Sequence, residues 1–138
     1  MSPGWQTLMR PELRDDVALD GADVRLLCRT PLSSAIHCSL ASGAVSRVTR
    51  NVGIHEIWYF IAGRGELWRH TDATGEESLV EIAEGCCVTI PPDTPFQYRN
   101  TGSHSLEFAC FVAPAWPGPE VNVLLDDVRG RWEPTSFR

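Results

Sequence analysis

The residue with the clearest chemical potential in this sequence is Glu56, which lies in the stretch HEIWYFIAG. Side chains two positions apart share one face of a β-strand, so Glu56 is grouped with Trp58 and Phe60. Phe96 and Tyr98 have the same spacing in the stretch FQYRN. A carboxyl group among aromatic rings is poorly solvated, which raises its pKa and suits a general acid or base. The sequence therefore predicts an acid–base group in an aromatic setting.

The segments around these residues predict a frame made of β-strands. Between residues 23 and 113, short stretches rich in β-branched and aromatic residues alternate with glycine and proline turns. This range has no sustained apolar period of three to four residues, which disfavours helices. About nine or ten strands at this spacing predict an all-β sandwich or barrel. We divide the chain into an N-terminal arm (1–22), a barrel (23–113) and an extended C-terminal tail (114–138).

Two motifs follow one another in frame between residues 43 and 100, separated by a hairpin signal. Their matching residues are Gly43, Glu56, Gly63, Gly85, Pro91 and Asn100. At one turn of the second motif Asp93 replaces a glycine, which is tolerable because aspartate also accepts turn conformations. This frame resembles the two motifs of the cupin family, and the fuller text resembles small single-domain cupins labelled mannose-6-phosphate isomerase-like. The resemblance implies a double-stranded β-helix (jelly-roll) barrel, a homodimer and a small-molecule site in the barrel mouth.

The resemblance also bears on metal binding. Cupins hold their metal with three histidines and one glutamate, a set suited to divalent transition metals. The corresponding positions here are Thr49, Asn51, Glu56 and Phe96. Only Glu56 is a strong donor, whereas at least three protein ligands are normal for such a metal. We therefore expect the usual metal site to be missing and no cofactor to be needed.

Two histidines leave a metal-dependent alternative open. His55 directly precedes Glu56 and faces away from the barrel interior if the strand is regular. His37 lies in the middle of a strand and is more simply explained as a core histidine. If His37 points inward and a bulge turns His55 back, these two residues and Glu56 would hold a divalent transition metal.

In the cupin frame Glu56 faces the interior, so the aromatic residues of its face line a pocket. The predicted ligand-binding residues are Thr49, Asn51, Trp58, Phe60, Phe96, Tyr98, His37 and His55. Such a pocket suits a flat, partly apolar molecule. The favoured function is a small-molecule-binding cupin that acts as an acid–base isomerase or cyclase, with Glu56 as the catalytic residue. The alternatives are a metal-dependent oxygenase or sugar isomerase and a non-catalytic sensor.

The composition indicates which kinds of partner and which cellular location to expect. The 138 residues carry a formal net charge of -6 and no run rich in basic residues, which argues against nucleic acid. No apolar run approaches the roughly 20 residues that a membrane span needs. The five cysteines are scattered without a CxxC spacing, and the first residues do not resemble a signal peptide. We therefore expect a cytoplasmic protein whose partner is a small molecule.

Overall fold

The structure, a computed structural model, describes residues 4–125 and 130–135. These residues contain eleven strands and one short 3-10 turn, Pro119–Val121. The strands are β1 (Asp16–Val17), β2 (Asp23–Arg29), β3 (Ser34–Leu40), β4 (Thr49–Asn51), β5 (His55–Ala62), β6 (Arg64–Thr71), β7 (Glu76–Ala83), β8 (Cys87–Ile90), β9 (Phe96–Asn100), β10 (Leu106–Ala113) and β11 (Asn122–Leu124).

The strands form two antiparallel sheets around one apolar core. The first sheet has the order β1-β2-β3-β10-β5-β8, and the second has the order β11-β4-β9-β6-β7. Both sheets contribute to a single buried cluster, with Trp58 and Phe108 from the first and Leu67 and Tyr98 from the second. The all-β prediction is therefore confirmed. The described part of the chain has no helix long and apolar enough to cross a membrane.

Strand β5 explains why the interior is aromatic. Burial alternates along it, so that Glu56, Trp58 and Phe60 are buried while the residues between them are exposed. The neighbouring strand β10 presents the same kind of face, with Cys110 opposite Trp58 and Phe108 opposite Phe60. One face of these two strands therefore carries the large rings, and a single carboxyl group lies among them.

Strands β1 and β11 extend the two sheets beyond the bounds predicted for the barrel. β1 pairs with β2, and β11 pairs with β4 so that Asn122 lies opposite Asn51. The sequence suggested an irregular arm and an extended tail for these segments. Strands of two and three residues are too short to show an alternating pattern, so only the tertiary pairing reveals them.

Two turns of the motif frame use backbone conformations that most residues avoid. Gly63 has a φ of +82°, and a Cβ atom there would lie 2.5 Å from the carbonyl oxygen of Ser105. Asp93, which replaces a glycine of the cupin frame, has a φ of 60°. Aspartate tolerates this conformation because its short polar side chain can form local hydrogen bonds. The substitution therefore preserves the turn.

Candidate functional site

A cavity of about 440 Å³ lies between the two sheets, and the segments just before and just after the main barrel strands form part of its wall. Part of its wall comes from residues 15–22, which precede β2, and part comes from residues 116–122, which follow β10. The carboxyl, amide, thiol and aromatic side chains that line the cavity include those of Asp20, Cys38, Asn51, Glu56, Trp58, Phe96, Phe108, Cys110, Trp116 and Asn122, and Thr49 adds a hydroxyl group. The cavity is large enough for a small organic ligand.

The carboxyl group of Glu56 is fixed from two sides within this cavity. Trp58 Nε1 donates to Oε1 at 2.8 Å, and Asn51 Nδ2 donates to Oε2 at 3.0 Å. Glu56 is only 9% exposed, and this burial raises its pKa above the usual value of 4.5. Hydrogen bonds from Trp58 and Cys110 lower the pKa of Glu56, but their effect is smaller than that of burial. The site therefore holds an oriented carboxyl group that retains its proton more strongly than an exposed one.

Trp58 is the centre of the aromatic wall. Its ring stacks on Phe108 with a centroid distance of 4.4 Å, and it meets Phe96 edge-on at 5.3 Å. Tyr98 and Phe60 also contact Trp58, at centroid distances of 5.1 Å and 6.3 Å. These last two rings are fully buried and do not line the cavity. Of the four predicted aromatic residues, Trp58 and Phe96 therefore face the cavity, and the other two support them from behind.

Asp20 brings a second carboxyl group to the cavity from the segment before β2. Its Oδ1 accepts a hydrogen bond from the backbone N–H of Ala22 at 3.0 Å, and its Oδ2 accepts one from the Tyr98 hydroxyl at 3.3 Å. Burial raises the pKa of Asp20, and the charge of Asp20 in turn helps to raise the pKa of Glu56. The two carboxyl groups are therefore close enough to influence each other.

The C-terminal segment adds a chain of hydrogen bonds that ends at Glu56. Trp116 Nε1 donates to Asn122 Oδ1 at 3.4 Å, and Asn122 Nδ2 donates to Asn51 Oδ1. Asn51 then uses its own amide N–H to hold the Glu56 carboxyl group. Thr49 lies on the same short strand as Asn51, and both side chains border the cavity. Residues 116–122 therefore fix the orientation of the site as well as enclosing it.

The alternative metal set is not brought together. His37 lies on the outer face of β3, because Ile36 and Cys38 on either side of it line the cavity. Its Nε2 atom is instead 3.0 Å from Glu107 Oε1, and His55 is exposed. The inward His37 of the metal-dependent alternative is therefore wrong, and neither histidine borders the predicted ligand pocket. Among the described residues, no group of three or more His, Cys, Asp or Glu side chains could hold a metal ion.

Sequence reasoning missed the site residues that lie outside the two motifs. Asp20 belongs to an acidic run in the predicted arm, and Trp116 and Asn122 belong to the predicted tail. Cys110 looked like an ordinary core thiol, yet it forms a hydrogen bond with Glu56. The three proline residues between 114 and 119 were the one signal near these positions, and they indicated a change of direction rather than a site.

Comparison with known proteins identifies the family. The family model described as a cupin domain matches residues 36–112, which is more than half of the chain. The chain belongs to the cupin superfamily, and its two sheets form the double-stranded β-helix that the motif frame implied. Among curated proteins it is similar to the uncharacterized protein MJ1618 of Methanocaldococcus jannaschii, with 24% identity over 82% of this chain and 90% of that protein.

Solved structures support the same fold. A conserved protein from Klebsiella pneumoniae with a double-stranded β-helix domain has a TM-score of 0.61 at 16% identity, covering 75% of this chain and 83% of that one. Oxalate decarboxylase from Bacillus subtilis has a TM-score of 0.68 at 15% identity, covering 81% of this chain. The present chain spans only 30% of the length of that decarboxylase. At these identities the likeness shows the fold alone.

Proposed function

We propose that the cavity binds a small organic molecule and that Glu56 transfers a proton to or from it. The observation that carries this proposal is the Glu56 carboxyl group, which is buried among aromatic rings and held at both oxygens by neutral N–H donors. The cupin fold supports the binding of a small molecule, whereas the proton transfer rests on this geometry.

The proposed chemistry needs only proton movement. Trp58 and Asn51 fix the plane of the Glu56 carboxyl group, so a bound ligand would meet it in one orientation. Burial raises the pKa of Glu56 toward the range in which a carboxyl group can both give and take a proton. Asp20 supplies a second carboxyl group for the opposite transfer. An isomerisation, a cyclisation or a dehydration would use these two steps.

The metal typical of cupins does not fit the residues at the corresponding positions. Thr49, Asn51, Glu56 and Phe96 border one cavity, but they offer a single carboxylate, and Phe96 offers no donor atom. Both oxygens of Glu56 already accept hydrogen bonds from N–H groups. This donor set therefore does not suit a transition metal, and it gives no support to the oxygenase and sugar-isomerase alternatives.

A non-catalytic sensor is the second candidate. It is favoured by the same two hydrogen bonds, because a carboxyl group that accepts from Trp58 and Asn51 is already satisfied without a reacting ligand. In that case Glu56 would recognise a ligand without exchanging a proton with it. The two candidates differ in one measurable quantity, namely the transfer of a proton between ligand and solvent.

Deuterium exchange separates the two candidates. Native mass spectrometry of the purified protein first identifies a retained molecule, which is then incubated in D2O with catalytic amounts of protein. Proton transfer predicts that the molecule gains deuterium, that Glu56→Gln abolishes the gain, and that the matched change Glu77→Gln at an exposed position leaves it intact. Tight binding without deuterium gain would establish the sensor, and the absence of any binding would overturn both candidates.

We also propose that the protein is cytoplasmic and that it assembles as a homodimer. The outer face of the first sheet supports the dimer, because four large apolar side chains there are between 42% and 48% exposed. They are Ile57, Tyr59, Ile61 and Phe111. Ile57 and Phe111 lie opposite each other on β5 and β10, so the apolar groups form one patch. A second copy of the chain is the partner that we propose for it.

A further inference from the structure

The charge of the cavity wall has a consequence for the ligand, provided that the cavity binds a small molecule as proposed above. Glu56 and Asp20 lie within the cavity, and Asp15 and Asp16 border it from the exposed segment before β2. Within residues 4–125 and 130–135, no arginine or histidine side chain lines the cavity, and the sequence contains no lysine. The wall therefore carries acidic groups without a basic one.

The two inner carboxyl groups are hydrogen-bonded entirely by neutral groups. Glu56 accepts from the indole N–H of Trp58 and the amide of Asn51, and Asp20 accepts from a backbone N–H and the Tyr98 hydroxyl. In the described part of the chain, neither carboxyl group takes part in an ion pair. The arginine ion pairs there are Arg14–Asp23, Arg50–Asp93 and Arg99–Glu66. Among the described residues, therefore, no basic side chain compensates the charge of these two carboxyl groups, and a cationic ligand would do so.

The aromatic rings of the cavity, like its carboxyl groups, favour a positively charged ligand. Trp58, Phe96, Phe108 and Trp116 line the cavity, and one face of the Trp58 ring is stacked on Phe108. An aromatic ring attracts a cation that lies over its free face. Tryptophan is the strongest such group, and the attraction grows when the pair is shielded from water. Trp58 is 2% exposed and therefore meets this condition. Rings and carboxyl groups thus act together on any positive charge.

The size of the cavity and the kind of donors favour an organic molecule over a bare metal ion as the source of that charge. A volume of about 440 Å³ is suited to an organic molecule. The described residues contain no cluster able to hold a metal ion. A carboxylate has about four lone-pair sites, more than the hydrogen bonds that Glu56 or Asp20 accepts here, so each can also accept from an N–H group of a ligand. An apolar body would then contact the rings.

We propose that the ligand of this cavity is an organic cation, a protonated amine with an apolar or aromatic body. Its ammonium group binds between Glu56 and Asp20, and its body lies against Trp58 and Phe96. This assigns the substrate class of the proposed function and gives the buried Glu56 and the partly buried Asp20 a basic partner that the described chain lacks. It also predicts that neutral and anionic molecules of the same shape bind more weakly.

A charge series on the intact protein tests this inference. The probes are propyl, phenethyl and indolylethyl compounds, each as the ammonium, the alcohol and the carboxylate, with binding measured by isothermal titration calorimetry. At least one ammonium is expected to bind about tenfold or more tightly than its alcohol, with the carboxylate weakest. If no ammonium in the series binds more tightly than its alcohol, the inference is overturned. Its failure leaves the deuterium-exchange test of the proposed function unaffected.

The pH dependence of the wild-type protein provides a second test that needs no variant. The titratable groups around Glu56 are Asp20 before β2, Cys38 on β3 and Cys110 on β10, with Asp15 and Asp16 at the mouth and the Tyr98 hydroxyl on Asp20. Burial raises the pKa of the two cysteines and of Tyr98, so these groups stay neutral. Ammonium affinity should rise as Glu56 and Asp20 ionise, with release of protons, while alcohol affinity stays level. Ammonium affinity independent of pH would overturn the inference.

Substitutions then locate the ammonium group. Glu56→Gln and Asp20→Asn are each expected to weaken ammonium binding about tenfold, and to weaken alcohol binding by a clearly smaller factor. The matched control is Asp72→Asn, at an exposed position outside the cavity. An ammonium that binds both variants as tightly as the wild type would overturn the inference. Circular dichroism of each variant confirms that a loss of binding is measured on folded protein.

Discussion

At the scale of the residue, the site depends on one carboxyl group and its hydrogen-bond donors. Glu56 is buried in an apolar wall, which disfavours its charged form, and hydrogen bonds from Trp58 and Cys110 partly offset this effect on its pKa. Asn51 and Trp58 orient the group by donating to its two oxygens. Burial is the larger effect, because the pKa of Glu56 is raised overall. The group is therefore held in place while remaining able to keep a proton.

Replacing Glu56 by glutamine should change how stability depends on pH. The raised pKa of Glu56 means that the folded protein binds this proton more strongly than the unfolded chain, whose value is near 4.5. The stability of the wild type relative to Glu56→Gln should therefore fall as the pH rises from 4.5 to the raised pKa of Glu56, and stay level above it. Urea unfolding of both proteins across this range measures the difference.

The matched change Glu77→Gln controls for the loss of an acidic group at an exposed position. The stability of the wild type relative to Glu77→Gln should not show the fall that is expected for Glu56→Gln over the same pH range. If the stability of the wild type relative to Glu56→Gln stays constant or rises across this pH range, the raised pKa of Glu56 is contradicted.

Replacing Trp58 by phenylalanine should destabilise the fold beyond the loss of ring area. The substitution removes the indole N–H that donates to Glu56 Oε1 at 2.8 Å and leaves this buried oxygen with a weaker set of partners. We expect a loss of roughly 1–3 kcal/mol in the free energy of unfolding. Thermal or urea unfolding measures it, with Tyr59→Phe on the exposed face of the same strand as control. Equal effects of the two substitutions would contradict the role of this hydrogen bond.

At the scale of the element, the last described segment is tied to the second sheet by Gln97. This fully buried side chain on β9 donates to the carbonyl oxygens of Ser46 and Trp132, at 2.9 Å and 2.7 Å. Its own oxygen accepts from the backbone N–H groups of Arg131 and Trp132, at 2.8 Å and 3.0 Å. Residues 130–135 therefore cover a strand face that alternation alone would expose to water.

Replacing Gln97 by leucine should release this segment. Several buried backbone groups would lose their partner, which costs roughly 1–3 kcal/mol in the free energy of unfolding. Hydrogen exchange should show faster exchange of the Arg131 and Trp132 amides, while the amides paired between β5 and β10 keep their protection. The control is Thr101→Ala, an exposed position just after the same strand. Unchanged exchange at Arg131 and Trp132 would contradict the anchoring role.

The elements also show how far the sequence could predict the site. Alternation predicted the face of Glu56 and Trp58 correctly, because polar and apolar positions differ clearly along β5. It did not settle the direction of His37, because β3 has small or apolar residues on both faces and His37 is buried beside Glu107. Asn122 reaches the cavity because β11 pairs with β4, far away in the sequence, and a local pattern cannot predict such a pairing. Asp20 lies in the turn between β1 and β2, and the two residues of β1 are too few to show an alternating pattern.

At the scale of the whole molecule, the cavity is lined by residues of the two motifs and also by residues 15–22 and 116–122, which lie outside the motifs. The family match covers residues 36–112, whereas Asp20, Trp116 and Asn122 lie outside it. The fold was therefore predictable from the motifs. The chemistry of the cavity depends on segments that the motifs do not include.

The proposed homodimer gives a prediction at this scale. If a second copy covers the patch around Ile57 and Phe111, the double variant Ile57→Lys and Phe111→Lys should be monomeric while the wild type is dimeric. Light scattering coupled to size-exclusion chromatography measures both masses. The control is Leu32→Lys, at another exposed apolar position that lies in a turn. A monomeric wild type would contradict the proposed assembly.

Glu56 is a buried carboxyl group whose pKa is raised above its usual value, and a direct titration of this group measures that pKa. Carbon-13 NMR of protein labelled at the glutamate carboxyl groups gives one curve per residue, and the signal missing in Glu56→Gln assigns Glu56. We predict that the pKa of Glu56 lies clearly above 4.5 in the folded protein. A pKa of Glu56 at or below 4.5 would contradict the proposed acid–base site.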